Sequence, residues 1–134
     1  EIGRFNIIND CYNANPESMK ATIDTVLNLY TSPCLVLGNM GELGEDSKKY
    51  HIAIGEFINS HPKMSKAVSI ITVGDLAKNI FETVNSLSKV HFDTTEKVAD
   101  YILKNNNIRN ILFFKASRSM HFEQIINKIK GDLE

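Results

Sequence analysis

Phe5-Asn6-Ile7-Ile8-Asn9-Asp10-Cys11-Tyr12-Asn13-Ala14-Asn15-Pro16-Glu17-Ser18-Met19 runs from an apolar segment through a polar loop into the start of a helix. Phe5 to Ile8 has strand character. Asn15 is a favoured N-cap, and Pro16 suits the first helical turn, where its missing N–H costs nothing. Downstream, Met19, Ile23, Val26, Leu27 and Tyr30 keep the spacing of one helical face. The stretch therefore reads as strand, loop, helix.

The same alternation continues to the end of the chain. Leu35 to Leu37, Val68 to Val73, Val90 to Phe92 and Ile111 to Phe114 are strand-like, and the second and last of these are continuous apolar runs suited to strands covered on both faces. Helical faces follow at Tyr50, Ala53, Ile54, Phe57 and Ile58; at Ala77, Ile80, Phe81 and Val84; at Val98, Tyr101 and Ile102; and at Phe122, Ile125, Ile126 and Ile129. Asp46 or Ser47, Asp75, and Thr94 or Thr95 are the expected caps of the second, third and fourth helices. His61-Pro62 and Asn105-Asn106-Asn107 end the second and fourth. Strict alternation predicts an α/β fold: an open, doubly wound, mainly parallel sheet with helices on both faces, joined by right-handed crossovers.

Composition sets the class. The 134 residues are 43% hydrophobic, enough for one globular domain and one core, and residues 1–134 are read as that single domain. Fifteen basic against sixteen acidic side chains give a net charge of -1, which argues against nucleic-acid binding; Lys48-Lys49 reads as a solvated helix face. No apolar run approaches the ~20 residues of a membrane span, and no signal peptide is visible, so a cytoplasmic location without membrane insertion is expected. The two cysteines, Cys11 and Cys34, lack CxxC spacing and a disulfide pattern. Cys34 is expected as a buried thiol and Cys11 as a non-nucleophile. The chain opens at Glu1 directly before strand-like sequence, so it is expected to be part of a longer protein.

In a doubly wound sheet all strand-to-helix loops open at one edge, where ligands bind. Three of these loops are rich in chemistry. Asp10-Cys11-Tyr12-Asn13-Ala14-Asn15-Pro16 offers an acid, a phenol and amides. Gly38-Asn39-Met40-Gly41-Glu42-Leu43-Gly44 offers three glycines and a carboxylate. Lys115-Ala116-Ser117-Arg118-Ser119-Met120 offers two cations and hydroxyls. Each alone is explicable as turn and cap chemistry. Together, with helix N-termini that favour anions, they point to a polar or phosphorylated ligand. No glycine precedes a lysine, so there is no GxxxxGK[ST] phosphate loop; GxGxxG and GxSxG are also absent. The four histidines are too scattered for a zinc site, no metal ligands are assigned, and His51 reads as a structural hydrogen-bonder rather than a catalytic base.

These three blocks, with His51 following the second, resemble the C-terminal domain of the Mur ligases, the D-alanyl-D-alanine-adding members above all. The resemblance spans nearly the whole chain, with the blocks in order and at the expected spacing. Asn39 stands where the family commonly has Asp, and Ala116 where it usually has Gly. The resemblance implies a Rossmann-like last domain of a three-domain, ATP-dependent enzyme of peptidoglycan precursor synthesis, and hence of cell shape and division. ATP, with Mg2+ bound mainly by a central domain, would phosphorylate the terminal carboxylate of a UDP-N-acetylmuramoyl-tripeptide. The amine of D-Ala-D-Ala would then attack the acyl phosphate.

The resemblance also implies site roles. Asp10, with Tyr12 and Asn13 nearby, would contact the ATP ribose. Asn15, Asn39, Ser117 and Arg118 would bind substrate, Arg118 as a bidentate fork for the dipeptide carboxylate. Glu42 would hold and deprotonate the incoming ammonium, and Lys115 would stabilise charge on the tetrahedral intermediate. The alternative is a free-standing α/β module that binds a nucleotide or small ligand without catalysis. A receiver-like scaffold fits the cation- and amide-rich loops less well.

Overall fold

The computed structural model describes residues 5–11, 14–105, 107–108 and 111–133. Five parallel strands, β1 (Asn6–Asp10), β2 (Cys34–Gly38), β3 (Ser69–Val73), β4 (Lys89–Phe92) and β5 (Ile111–Lys115), form one sheet in the order β1-β5-β2-β3-β4. The helices are α1 (Pro16–Leu29), α2 (Ser47–Ser60), α3 (Lys78–Thr83), α4 (Val98–Lys104) and α5 (Glu123–Leu133). The expected α/β alternation and the position of every element are present, and the sheet is wholly parallel.

Handedness explains the layers. From β1 to β4 the chain crosses the sheet in one direction, and right-handed crossovers put α1, α2 and α3 on one face. There Met19, Ile23, Ile54, Ile58 and Ile80 pack on Leu35, Leu37, Ile70 and Phe113. From β4 the chain must return across the sheet to insert β5, so α4, and α5 after it, lie on the other face. There Ile102, Phe122, Ile125 and Ile129 pack on Val36, Ile71, Leu112 and Phe114. The central strand β2 is buried throughout, as a strand covered on both faces must be.

Of the expected caps, Asn15 is the one whose side chain does that work. Its Oδ1 accepts from Ser18 N at 2.9 Å while Ser18 Oγ accepts from Asn15 N at 3.2 Å. The other caps are corrected. Asp46 precedes α2 without a side-chain bond, because a 3-10 turn over Gly44–Asp46 leads into that helix. Helices α3 and α4 have Ala77 and Lys97 at their N-cap positions, again without side-chain caps. Asp75 is drawn elsewhere: its Oδ1 accepts from Asn39 Nδ2 at 2.8 Å. Lys48 and Lys49 are exposed, as expected of a solvated face.

Two close contacts shape the loops. Gly38 ends β2 where a Cβ would lie 2.6 Å from Phe122 Cζ and 2.7 Å from the Ala116 methyl. The space Gly38 leaves accommodates Ala116. His51 is fully buried on α2; its Nε2 accepts from Met40 N at 2.9 Å and its Nδ1 donates to Ser47 O at 2.6 Å. Both bonds require the neutral ring with the proton on Nδ1. His51 thus pins the β2 loop to α2, the structural role its sequence context suggests.

Desolvation pushes the His51 pKa below its usual value, against a smaller opposing effect of the Ser47 hydrogen bond. Above about pH 6.5 the ring is neutral in both folded and unfolded chains and adds no pH dependence. Below that, the unfolded chain takes up a proton that the folded chain refuses, so stability falls as pH falls. Burial pushes His91 down as well, with the same sign. Urea unfolding at pH 7.5 and pH 5.5 should show this loss in the wild type and a smaller one in His51→Ala. H51A should cost about 1–3 kcal/mol at pH 7.5 by orphaning the Met40 N–H. Gly38→Ala should destabilise by roughly 1–3 kcal/mol through overpacking, and adding Ala116→Gly should recover part of it.

Candidate functional site

The insertion of β5 between β1 and β2 decides where ligands can sit. The chain leaves β1 and β2 toward α1 and α2 on one face, but leaves β5 toward α5 on the other. A crevice therefore opens on each side of the β5 loop, the topological switch point at which open α/β sheets bind ligands. One cleft is lined by Asn9, Asp10, Cys11, Arg118, His121 and Glu123. The other is lined by Gly41, Glu42, Ser117, Arg118, Ser119 and His121. Arg118 and His121 line both.

The β1–β5 register brings Asp10 opposite Lys115 at the ends of adjacent strands. Lys115 Nζ donates to Asp10 Oδ2 at 2.7 Å. The lysine side chain is 2% exposed and the aspartate 36%, so the cation lies inside and the carboxylate opens outward. Arg118 follows two residues after the buried Ala116, in a 3-10 turn over Arg118–Met120, and is exposed. Ser117 is buried; its N–H donates to Asn39 O at 2.8 Å and its Oγ lies 2.9 Å from Ser119 Oγ.

Glu42 is exposed and has a φ of 58°, in the left-handed region, where a non-glycine side chain is held at some cost. The bonds of Ser117 N to Asn39 O and of Met40 N to His51 hold the strand end just before it. The resulting turn places Glu42 in the lining of the cleft it shares with Arg118. An acid and a fork-shaped cation facing one cleft are the complement of a zwitterion that carries an ammonium and a carboxylate.

Asp10, Lys115, Glu42, Ser117 and Arg118 are thus gathered around the β5 loop. Asn15 and Asn39 line neither cleft. Asn15 caps α1, and Asn39 ties the β2 loop to the start of α3: Nδ2 donates to Asp75 and Oδ1 accepts from Ala77 N at 2.8 Å. Gly74, with φ of 106°, brings the β3 loop so close that a Cβ there would lie 2.5 Å from Asn39 Oδ1. Tyr12 and Asn13 lie outside the described residues. Lys115 meets Asp10, where the resemblance put it at the reacting acyl group.

Cys11 donates its S–H to Phe114 O at 3.5 Å, and burial, with Glu123 and Asp10 nearby, pushes its pKa up to about 12. It stays a protonated thiol near neutral pH, as does the buried Cys34, also pushed up to about 12 by burial. Sequence reasoning did not single out His121 or Glu123. His121 has a φ of 54°, and its Nδ1 lies 3.4 Å from Glu123 Oε1. Their place at the site follows from the turn between β5 and α5, which residue type alone does not announce. Among the described residues, no group of three or more His, Cys, Asp or Glu is placed to hold a metal ion, and no helix is long and apolar enough to cross a membrane.

Known proteins match the chain in both sequence and fold. The chain is 33% identical over 131 residues to the UDP-N-acetylmuramoyl-tripeptide–D-alanyl-D-alanine ligase of Bacillus subtilis (strain 168), covering 93% of this chain and 28% of that protein. It superposes on a crystal structure of MurF from Acinetobacter baumannii with a TM-score of 0.79 and 26% identity, over 98% of this chain and 29% of that one. For MurF from Thermotoga maritima in complex with ADP the TM-score is 0.69 at 29% identity, over 99% of this chain and 31% of that one. The chain therefore spans under a third of the length of these relatives. The family model described as Mur ligase, glutamate ligase domain matches residues 1–130, and the chain belongs to that family.

Proposed function

We propose that this chain is the C-terminal domain of a three-domain cytoplasmic ligase that adds D-Ala-D-Ala to a UDP-N-acetylmuramoyl-tripeptide with consumption of ATP, in the making of peptidoglycan precursors. The observation that carries this reading is the pair of clefts on either side of the β5 loop, one presenting Asp10 and the other Glu42 and Ser117, with Arg118 between them. A carboxylate suits the hydroxyls of a nucleotide sugar; an acid beside an arginine suits a zwitterionic dipeptide. Curated relatives with this activity, and a solved relative in complex with ADP, support the assignment.

In this reading the tripeptide carboxylate takes the γ-phosphoryl group of ATP, giving an acyl phosphate and ADP. Arg118 binds the dipeptide carboxylate bidentately and fixes the amine for attack. Glu42 accepts a proton from the ammonium, so that the free amine adds to the acyl carbon. Phosphate leaves as hydrogen phosphate, taking up the second proton lost from nitrogen, and the amide remains. Ser117 adds a hydroxyl to the dipeptide cleft. Tyr12 and Asn13, beside Asp10 in the chain, belong to the nucleotide side. Asn15 and Asn39 serve as supports: one holds the α1 terminus and the other the β2 loop. Mg2+ neutralises phosphate charge when bound and is assigned to the central domain that grips the ATP phosphates. The domain by itself is then inactive.

Steady-state kinetics on the full-length ligase test the division of labour. Arg118→Ala should raise the KM for D-Ala-D-Ala by roughly 10–100-fold with a smaller effect on ATP, the loss expected for a charged hydrogen-bond pair. Asp10→Ala should do the reverse. Glu42→Gln should lower kcat by about 100-fold or more, the typical contribution of a positioned general base. If Arg118→Ala and Asp10→Ala both leave the kinetics unchanged, the site lies elsewhere.

A further inference from the structure

Lys115 lies on the sheet face that carries α1, α2 and α3, in alternation with Phe114 on the other face. It is fully enclosed by the fold, yet it is a cation. An ammonium in that position is stable only if an anion meets it, because the desolvation of an unpaired charge outweighs what packing returns. The anion is Asp10, its register partner, bonded through Oδ2 at 2.7 Å. Lys115 lines neither cleft, whereas Asp10 opens into the first.

We infer that Lys115 is a positioning residue of the nucleotide side: through its 2.7 Å bond it fixes the Asp10 carboxylate in place, oriented to accept the two hydroxyls of a ribose cis-diol, and it does not meet the reacting acyl phosphate. This inference rests on the reading of the chain as a domain of an ATP-dependent ligase and deepens it. Three observations carry it. The backbone register fixes both strand ends, so the pair is set by the sheet and not by a flexible loop. The carboxylate oxygen taken by Lys115 anchors the group from behind, and the exposed part of Asp10 faces the cleft. The pair is neutral overall, so the diol can be held beside a polyphosphate without the repulsion an unpaired carboxylate would add.

The test uses the full-length ligase and compares ATP with 2′-deoxy-ATP by kcat/KM. The wild type should prefer ATP by about tenfold or more, the value of one hydrogen bond to a charged acceptor. Lys115→Met fills the same space without the charge. It should raise the KM for ATP by about tenfold, shrink the preference over 2′-deoxy-ATP to within about threefold, and leave kcat at saturating ATP within about threefold. A Lys115→Met enzyme that keeps the full preference but loses kcat by about 100-fold would overturn the inference and return Lys115 to the acyl centre, with the ligase reading intact. A wild type that uses both nucleotides equally well would instead remove the Asp10–ribose contact, and with it both the inference and the nucleotide half of the reading. Should Lys115→Met not fold, Lys115→Arg decides. It keeps a cation beside Asp10, so the preference for ATP should survive with kcat little changed; a large kcat loss at unchanged preference would overturn the inference.

Discussion

The site depends on a constraint of chirality. Parallel strands are joined by right-handed crossovers, so a chain that winds β1 to β4 in one direction can insert β5 only by passing over the opposite face. That return places β5 between β1 and β2 and sends its following segment away from theirs. The clefts, and the arginine that both share, are consequences of that single reversal. Composition enters afterwards, through the residues that the three loops carry.

The scaffold and the site also share residues. Asn39 joins two loops and leaves its carbonyl for Ser117 N–H, so the β2, β3 and β5 loops are bonded into one rim. His51 reaches the same rim from α2 through Met40. The left-handed turn at Glu42 follows this anchored segment directly and sets an exposed acid in the lining of the cleft. An Asp at position 39 would oppose the Asp75 carboxylate; in this chain an amide takes that place and makes the bond.

Much of this was legible in the residues alone. Apolar runs and period-3.6 faces place all five strands and helices, because burial on a two-faced sheet demands continuous apolar runs such as Ile111 to Phe114. The Asn15-Pro16 signature places the start of α1, since capping is a local interaction. The other caps were not legible: Asp75 was expected to serve its own helix, and a residue 36 positions away claims its carboxylate. Long-range pairing also decides the setting of Lys115. Sequence spacing makes it part of a polar loop, whereas the β1–β5 register turns it inward onto Asp10. His121 and Glu123 become site residues only through the turn that leads into α5.

The most direct measurement is a crystal structure of the full-length ligase with a non-hydrolysable ATP analogue and D-Ala-D-Ala bound. The nucleotide ribose should lie in the Asn9–Cys11 cleft with its hydroxyls on the Asp10 carboxylate, Lys115 still bonded behind it, and the dipeptide carboxylate on Arg118 across the β5 loop. Ligands bound away from the β5 loop, or a Lys115 ammonium on the phosphates with Asp10 released, would contradict the assignment of the two clefts.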